Sequence, residues 1–177
     1  GVQAVLGQKV SGTERITVDG KAVRVSSQKS FRPKGLIYHK PAGEICSRSD
    51  PEGRPTVFEK LPHLARGRWT SVGRLDFQTL GLLLLNNDGE LANRLMHPST
   101  GLKREYAVRV LGEPSRETLR SLRRGVSLED GTARFEVVEP AGGEGRNRWY
   151  KVVVSEGRNR IVRRVFEAVG LRVSRLI

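Results

Sequence analysis

The sequence predicts an α+β fold built on a mostly antiparallel sheet, and three observations carry that expectation. Short strand-like runs outnumber helical ones. The two kinds do not alternate, so a regular parallel βαβ layout is disfavoured. There is also no internal repeat and no low-complexity tract in the 177 residues, which sets aside solenoids and arrays.

In chain order, residues 1–30 are small, polar and Gly-containing. Arg15-Ile16-Thr17-Val18 and Lys21-Ala22-Val23-Arg24-Val25 flank Asp19-Gly20. An Asp-Gly pair between alternating runs predicts a tight hairpin. The segment has too little apolar surface for a domain of its own and reads as the tail of a longer unit. A polar, basic linker follows from Ser26 to Lys34. Gly35-Leu36-Ile37-Tyr38-His39 predicts a strand, stopped by Lys40-Pro41-Ala42-Gly43. Thr56 with Glu59 three residues on forms a capping box, so a short helix is expected from Val57 to about Pro62.

Residues 69–72 and 80–86 predict two strands, and their unbroken apolar character predicts burial on both faces. Asp88 is the expected N-cap of a helix carrying Leu91 and Leu95, stopped at His97-Pro98. Lys103 to Val110 alternates and predicts a strand. Pro114 and Ser115 open a helix with Leu119 and Leu122 on one face and Arg120, Arg123 and Arg124 elsewhere; Gly125 closes it. Strands are expected over 133–138 and 149–154. A helix entry and a helix over 157–169 follow, with Val162, Val165, Phe166 and Val169 on the apolar face and Gly170 behind it. A strand over 171–177 ends the sequence.

Net charge is +13, from 32 Lys and Arg against 19 Asp and Glu, and the sequence pI is near 10.8. So basic a chain predicts an acidic partner, nucleic acid first. No run is apolar enough to cross a bilayer as a helix, and no basic amphipathic membrane helix stands out, so no membrane partner is expected. The single Cys46 has no disulfide partner within the chain, and His39, His63 and His97 lack metal-ligand spacing; no metal is expected. No secretory leader is visible.

Two features carry candidate chemistry. The first is Val72-Gly73-Arg74-Leu75-Asp76-Phe77-Gln78-Thr79-Leu80-Gly81, which sets one carboxylate in a turn between apolar strands. A loop acid on a rigid scaffold is well placed to act. Beside cations Asp76 stays ionised, which suits a nucleophile or electrostatic stabiliser. No second acid partners it, and no G-x-S-x-G is present. The second is the Arg-rich stretch 146–177, holding Arg146, Arg148, Arg158, Arg160, Arg163, Arg164, Arg172 and Arg175. Arginine grips phosphate bidentately and stacks on bases, which favours RNA. Tyr38, Trp69, Tyr106, Trp149 and Tyr150 are mostly expected in the core. Residue chemistry alone does not name the reaction.

Four segments in series resemble the pseudouridine synthases of the RsuA group: Lys40-Pro41-Ala42-Gly43, Gly73-Arg74-Leu75-Asp76 with Thr79-x-Gly81-Leu82, Lys103-Arg104-Glu105-Tyr106, and residues 156–164 (EGRNRIVRR). Longer runs (residues 50–58, 90–98 and 142–145) resemble the branch acting on the large ribosomal subunit; the small-subunit branch is the competitor. Ile161 departs from the polar residues common at its place.

The resemblance implies a pseudouridine synthase fold, with helices flanking a mixed, mostly antiparallel sheet around a central catalytic cleft. It implies that residues 31–177 are the catalytic domain, cut short at its C-terminus, and that residues 1–30 are the end of an S4-like RNA-binding domain plus linker. It implies isomerisation of a specific uridine in 23S rRNA, after base flipping, without metal or cofactor. The partner is a large-subunit rRNA stem–loop, the setting cytoplasmic, the acting unit a monomer. Asp76 is implied as nucleophile or as the base forming a glycal, Tyr106 as the stacking residue and later proton acceptor, and Arg163 as the ion-pair partner of Asp76. Arg74, Lys40, Thr79, Val162, Arg158 and Arg160 are implied at the substrate, with packing near Asp76 as the alternative for Lys40. On that basis Arg163→Ala is expected to lose fold and activity, and Asp76→Asn activity alone. The alternative is a non-catalytic RNA-binding or ribosome-assembly factor on the same fold.

Overall fold

Asp19-Gly20 turns the chain back on itself as the sequence predicts. β1 (Ile16–Val18) and β2 (Lys21–Val23) pair antiparallel with Val18 opposite Lys21. Asp19 and Gly20 take φ of 52° and 77°, the left-handed pair that matches the twist of a two-residue hairpin. The structure, a computed structural model, describes residues 3–5, 7–8, 14–23 and 32–177. Arg24, Val25 and linker residues 26–31 lie outside the described residues. The chain divides into two units, Gly1–Pro33 and Lys34–Ile177.

The second unit holds two antiparallel sheets. β3 (Gly35–Lys40), β4 (Thr70–Ser71) and β5 (Gly81–Asn86) form a three-stranded sheet in the order β3-β5-β4. β6 (Arg104–Leu111), β9 (Val137–Pro140), β10 (Asn147–Val154) and β11 (Arg172–Leu176) form a four-stranded sheet in the order β11-β6-β10-β9. β7 (Val126–Leu128) and β8 (Gly131–Ala133) make a separate hairpin. Every strand ladder described is antiparallel, and one isolated parallel bridge joins Ile45 to Thr56.

Local signals set the three helices. In α1 (Gly89–Met96) the Asp88 carboxylate accepts from the Glu90 and Leu91 amides at 3.0 and 3.2 Å. In α2 (Arg116–Arg124) Ser115 Oγ accepts from the Thr118 amide at 3.0 Å, and Leu122 is fully buried while Arg120, Arg123 and Arg124 stay outside. α3 (Ile161–Glu167) buries Val162, Val165 and Phe166 against the inner face of the four-stranded sheet, where Val108, Val110, Val152 and Val154 point. Phe135 meets Phe166 with ring centroids 5.3 Å apart. Each such buried side chain contributes about 1.5–3 kcal/mol. A smaller core of Val57, Leu83 and Leu85 lies under the three-stranded sheet.

Four expectations are corrected. The helix after Thr56 is instead a pair of linked turns: Glu59 Oε1 does accept from the Thr56 amide at 2.8 Å, but the Val57 amide donates to Ile45 O at 3.0 Å. That bridge takes the chain out of the helical path, and Pro62 removes a later donor. The strand expected over 133–138 is interrupted at residues 134–136, where the Phe135 amide donates to Leu122 O. The 157–169 segment is helical only from Ile161. β5 is buried on one face only, leaving Leu82 and Leu84 exposed beside Ile37 of β3.

The two sheets meet end to end. The Leu80 amide donates to Leu176 O at 3.0 Å, and Ile177, next in the chain, extends the β11–β6 ladder by exchanging bonds of 2.9 and 3.0 Å with Ala107. Gly81 is required here: its φ is +111°, and a Cβ would stand 3.2 Å from Ile177 Cγ2. The turn holding Asp76 leads straight into this seam.

Candidate active site

The Asp76 turn is fastened from below. β4 ends as the Val72 amide donates to Leu84 O at 2.7 Å, and the Thr79 amide closes the turn onto Asp76 O at 2.9 Å. Lys40, the last residue of β3, lies fully buried under it. Its ammonium donates to Pro41 O and Thr79 O at 2.9 Å and to Phe77 O at 3.4 Å. Burial pushes the Lys40 ammonium down from its ordinary range, while Cys46, Glu44 and Asp76 oppose that shift. Cys46 Sγ donates to Leu75 O and accepts from the Leu75 amide, both at 3.4 Å. Behind the turn, Tyr38 donates its hydroxyl to the buried Glu44 carboxylate at 2.6 Å. Burial first, and this bond second, push the Tyr38 phenol up to about 12.

Above this base the Asp76 side chain is about a quarter exposed, and its Oδ2 lies 4.0 Å from Arg160 Nη1. It opens on a cavity of about 300 Å³ whose walls include Arg74, Thr79, Arg104, Tyr106 and Val162. Tyr106 comes from β6 across the seam. Burial pushes its phenol up; Asp76 adds to the shift and Arg104 opposes it, so the phenol is neutral at physiological pH. The arrangement is one carboxylate at the lip of a half-open slot, with a neutral aromatic wall and Arg74, Arg104, Arg158 and Arg160 around it. It suits attack on, or proton removal from, a sugar whose flat base sits in the slot.

Asp76, Tyr106, Arg74, Thr79, Val162, Arg158 and Arg160 all line this cavity, although they lie up to 88 residues apart, from 74 to 162. Three roles change. The expected Asp76–Arg163 ion pair is not made: Arg160 stands at the carboxylate instead. Arg163 is 8% exposed and donates from Nη1 to Val173 O at 3.2 Å, while its Nε is buried without an acceptor. Burial and the Arg160 charge push its guanidinium down, while the charges of Asp76 and Glu167 oppose that shift. Helix register is the reason. α3 begins at Ile161 with Arg160 before it at φ 48°, so Arg160 projects to the loop and Arg163 turns inward. Lys40 is sealed off from any substrate. Arg158 reaches the cavity wall, but its guanidinium is engaged by Glu156 and Asp130 and by the carbonyls of Asp130, Gly131 and Thr132. Asp130 also holds Arg164, so much of the basic stretch is internally paired. Thr79 is 1% exposed and its Oγ1 has no hydrogen-bond partner.

Sequence reasoning missed Arg104. Strand alternation was the available signal, since Arg104 and Tyr106 share one face of β6. Ile161, the departure noted above, is 5% exposed and both packs in the core and lines the cavity. Tyr150 is buried as expected, whereas Trp149 is only partly covered, under Arg109 at 5.8 Å. Among the described residues no group of three or more His, Cys, Asp or Glu could hold a metal ion, and no helix is long and apolar enough to cross a membrane.

A carboxylate turn at the junction of two antiparallel sheets, with an aromatic slot beside it, matches a known class of RNA-modifying protein. The chain belongs to the RNA pseudouridylate synthase family, whose sequence profile matches residues 34–168. It is 56% identical over 176 residues to the ribosomal large subunit pseudouridine synthase B of Salmonella typhi, covering 98% of this chain and 60% of that protein. It is 57% identical over 177 residues to the protein of the same name from Pseudomonas aeruginosa, covering 99% of this chain and 46% of that protein. The chain thus spans roughly half of these curated relatives' length. A crystal structure of a pseudouridylate synthase shares the fold, with a TM-score of 0.70 at 24% identity over 96% of this chain and 70% of that one.

Proposed function

We propose that this chain carries the catalytic centre of a large-subunit ribosomal RNA pseudouridine synthase, with Asp76 as the reacting carboxylate. The observation that carries the reading is the position of Asp76: a carboxylate at the lip of a cavity walled by a neutral Tyr106, on a turn held by Lys40. The level of identity to the large-subunit enzymes supports the choice of RNA.

The reaction breaks the N1–C1′ bond of a uridine and forms a C5–C1′ bond. The C5 proton leaves and N1 gains one, so the sum is redox-neutral. Inside a folded RNA the target must first be flipped out of the stack; exposed Arg74 at the rim is the residue placed to take up the vacated space. Asp76 then serves either by attacking C1′ or by taking a proton from C2′. Tyr106 stacks on the uracil. A phenol held neutral takes the C5 proton only if it passes its own proton on in the same step. Arg160, 4.0 Å from the carboxylate, balances charge as the glycosidic bond breaks.

The same reading takes a large-subunit stem–loop as the RNA partner and the cytoplasm as its setting. It takes one copy as the acting unit, since Asp76, Tyr106 and Arg160 all come from one chain. Residues 1–30 enter it as the end of an S4-like RNA-binding element. The test uses cells lacking the gene, complemented with wild-type or Asp76→Asn protein, and maps rRNA pseudouridine by carbodiimide-blocked primer extension. The wild type restores one site and Asp76→Asn restores none; equal restoration by both would end the catalytic assignment.

A further inference from the structure

A second cavity, of about 490 Å³, lies on the other side of Asp76, between loop 45–54 and the Asp76 turn. It shares Arg74, Leu75, Asp76 and Arg160 with the first cavity, so a strand leaving one enters the other across the carboxylate. Its distinctive member is Arg54. Asp50, whose side chain is 5% exposed, accepts from Arg54 Nε and Nη2 at 2.8 and 2.7 Å and from the Arg54 amide at 2.9 Å. Glu52 takes Nη1 at 3.2 Å. One side of the guanidinium faces the Phe77 ring, with Cζ 5.8 Å from the centroid.

The acids engage the guanidinium through its edge, so it is a poor grip for phosphate. The same bonds fix its plane. The side chain is 40% exposed and lines the cavity, so it offers a flat, rigid, cationic face. Such faces are stacking platforms for unpaired nucleobases.

We infer that the second cavity seats the nucleotide adjoining the target uridine, with Arg54 as the platform on which that neighbour's base stacks. This rests on the proposed RNA substrate and extends it. Arg54 becomes a specificity-determining residue: it requires the neighbour to be unpaired and leaves the bases of distant helix positions unread. Phe77, directly after Asp76, couples occupancy of the platform to the turn that carries the carboxylate.

The test uses full-length protein and a synthetic stem–loop centred on the uridine mapped above. Abasic sites replace the nucleotide on either side of the target in turn. Binding is measured by fluorescence anisotropy and isomerisation by release of tritium from C5-labelled uridine. Removing one of the two neighbouring bases weakens wild-type binding about tenfold. Arg54→Ala and Arg54→Lys lose a similar factor on intact RNA and nothing more on the abasic RNA. Arg54→Lys keeps the charge beside Asp50 without the planar face, so it carries the test if Arg54→Ala lowers the melting temperature. Losses that multiply when variant and abasic RNA are combined would overturn the inference, as would wild-type affinity in both variants. A wild-type protein that binds the stem–loop but releases no tritium would instead refute the catalytic reading and leave the platform to be judged on affinity.

Discussion

Replacing Lys40 with Met separates positioning from substrate contact. Met keeps the length and apolar stem but removes the ammonium. Two of its bonds, to Pro41 O and Thr79 O, are 2.9 Å long; the third, to Phe77 O, is 3.4 Å and weak by geometry. A hydrogen bond from a charged group contributes about 1.5–3 kcal/mol, so the two good ones together are worth about 3–6 kcal/mol. Met also removes the penalty of holding an ammonium at zero exposure, an effect of several kcal/mol in the opposite sense. The net loss of global stability is therefore small, about 1–2 kcal/mol, which for a chain of this size lowers Tm by roughly 2–8 °C. The local effect is larger, because the carbonyls of Phe77 and Thr79, on either side of the turn, lose their shared donor. A displacement of the carboxylate by about 1 Å costs on the order of a hundredfold in rate. Lys40→Met should thus melt close to wild type, bind the stem–loop normally, and show kcat reduced about a hundredfold in a single-turnover tritium-release assay. Wild-type kcat would refute the positioning role. Unchanged kcat with weakened RNA binding would mean that Lys40 reaches the substrate, against its burial.

Arg160→Ala and Arg163→Ala should divide what one arginine was expected to do. Arg160→Ala lowers kcat/KM by about tenfold with little change in Tm, since a half-exposed pair at 4.0 Å adds little stability. Arg163→Ala lowers stability, and with it Tm, through the lost Val173 bond and packing, by about 1–3 kcal/mol; calorimetry and tritium release distinguish the two. Tyr38→Phe tests the support beneath the site. The Tyr38 phenol is raised in the fold to about 12 from 10.0, so its contribution to stability is complete below pH 10 and is lost as pH rises through about 12. Thermal melts across that window should fall steeply in wild type and less so in Tyr38→Phe; parallel curves would contradict the assigned environment. Asp76→Asn should melt within about 2 °C of wild type while releasing no tritium.

Local signals were the legible ones. Asp88, Ser115 and the Asp19-Gly20 turn each act within four residues, and each behaves as its chemistry predicts. Asp76 was also legible, because strand, turn and strand can be read around it. Lys40 was harder: a lysine before proline reads as polar surface, and the carbonyls that enclose it come from residues 77 and 79. The exchange of Arg160 for Arg163 turned on where α3 starts. A delay of a few residues rotates one arginine into the core and leaves its neighbour at the carboxylate. Arg158 illustrates why a charge total misleads, since its partner Asp130 lies 28 residues away on a hairpin the sequence pattern did not reveal. The leucine run at 82–85 hid its alternation because both faces are apolar.

The Leu80–Leu176 bond at the sheet junction makes the reacting turn a latch as well. Asp76 is four residues from that bond, so parting of the sheets and displacement of the carboxylate are one event. Opening of the junction is therefore expected to abolish the chemistry. Protection of the Leu80 amide against hydrogen exchange should therefore track catalytic competence across temperature and denaturant more closely than protection anywhere in the valine-rich core.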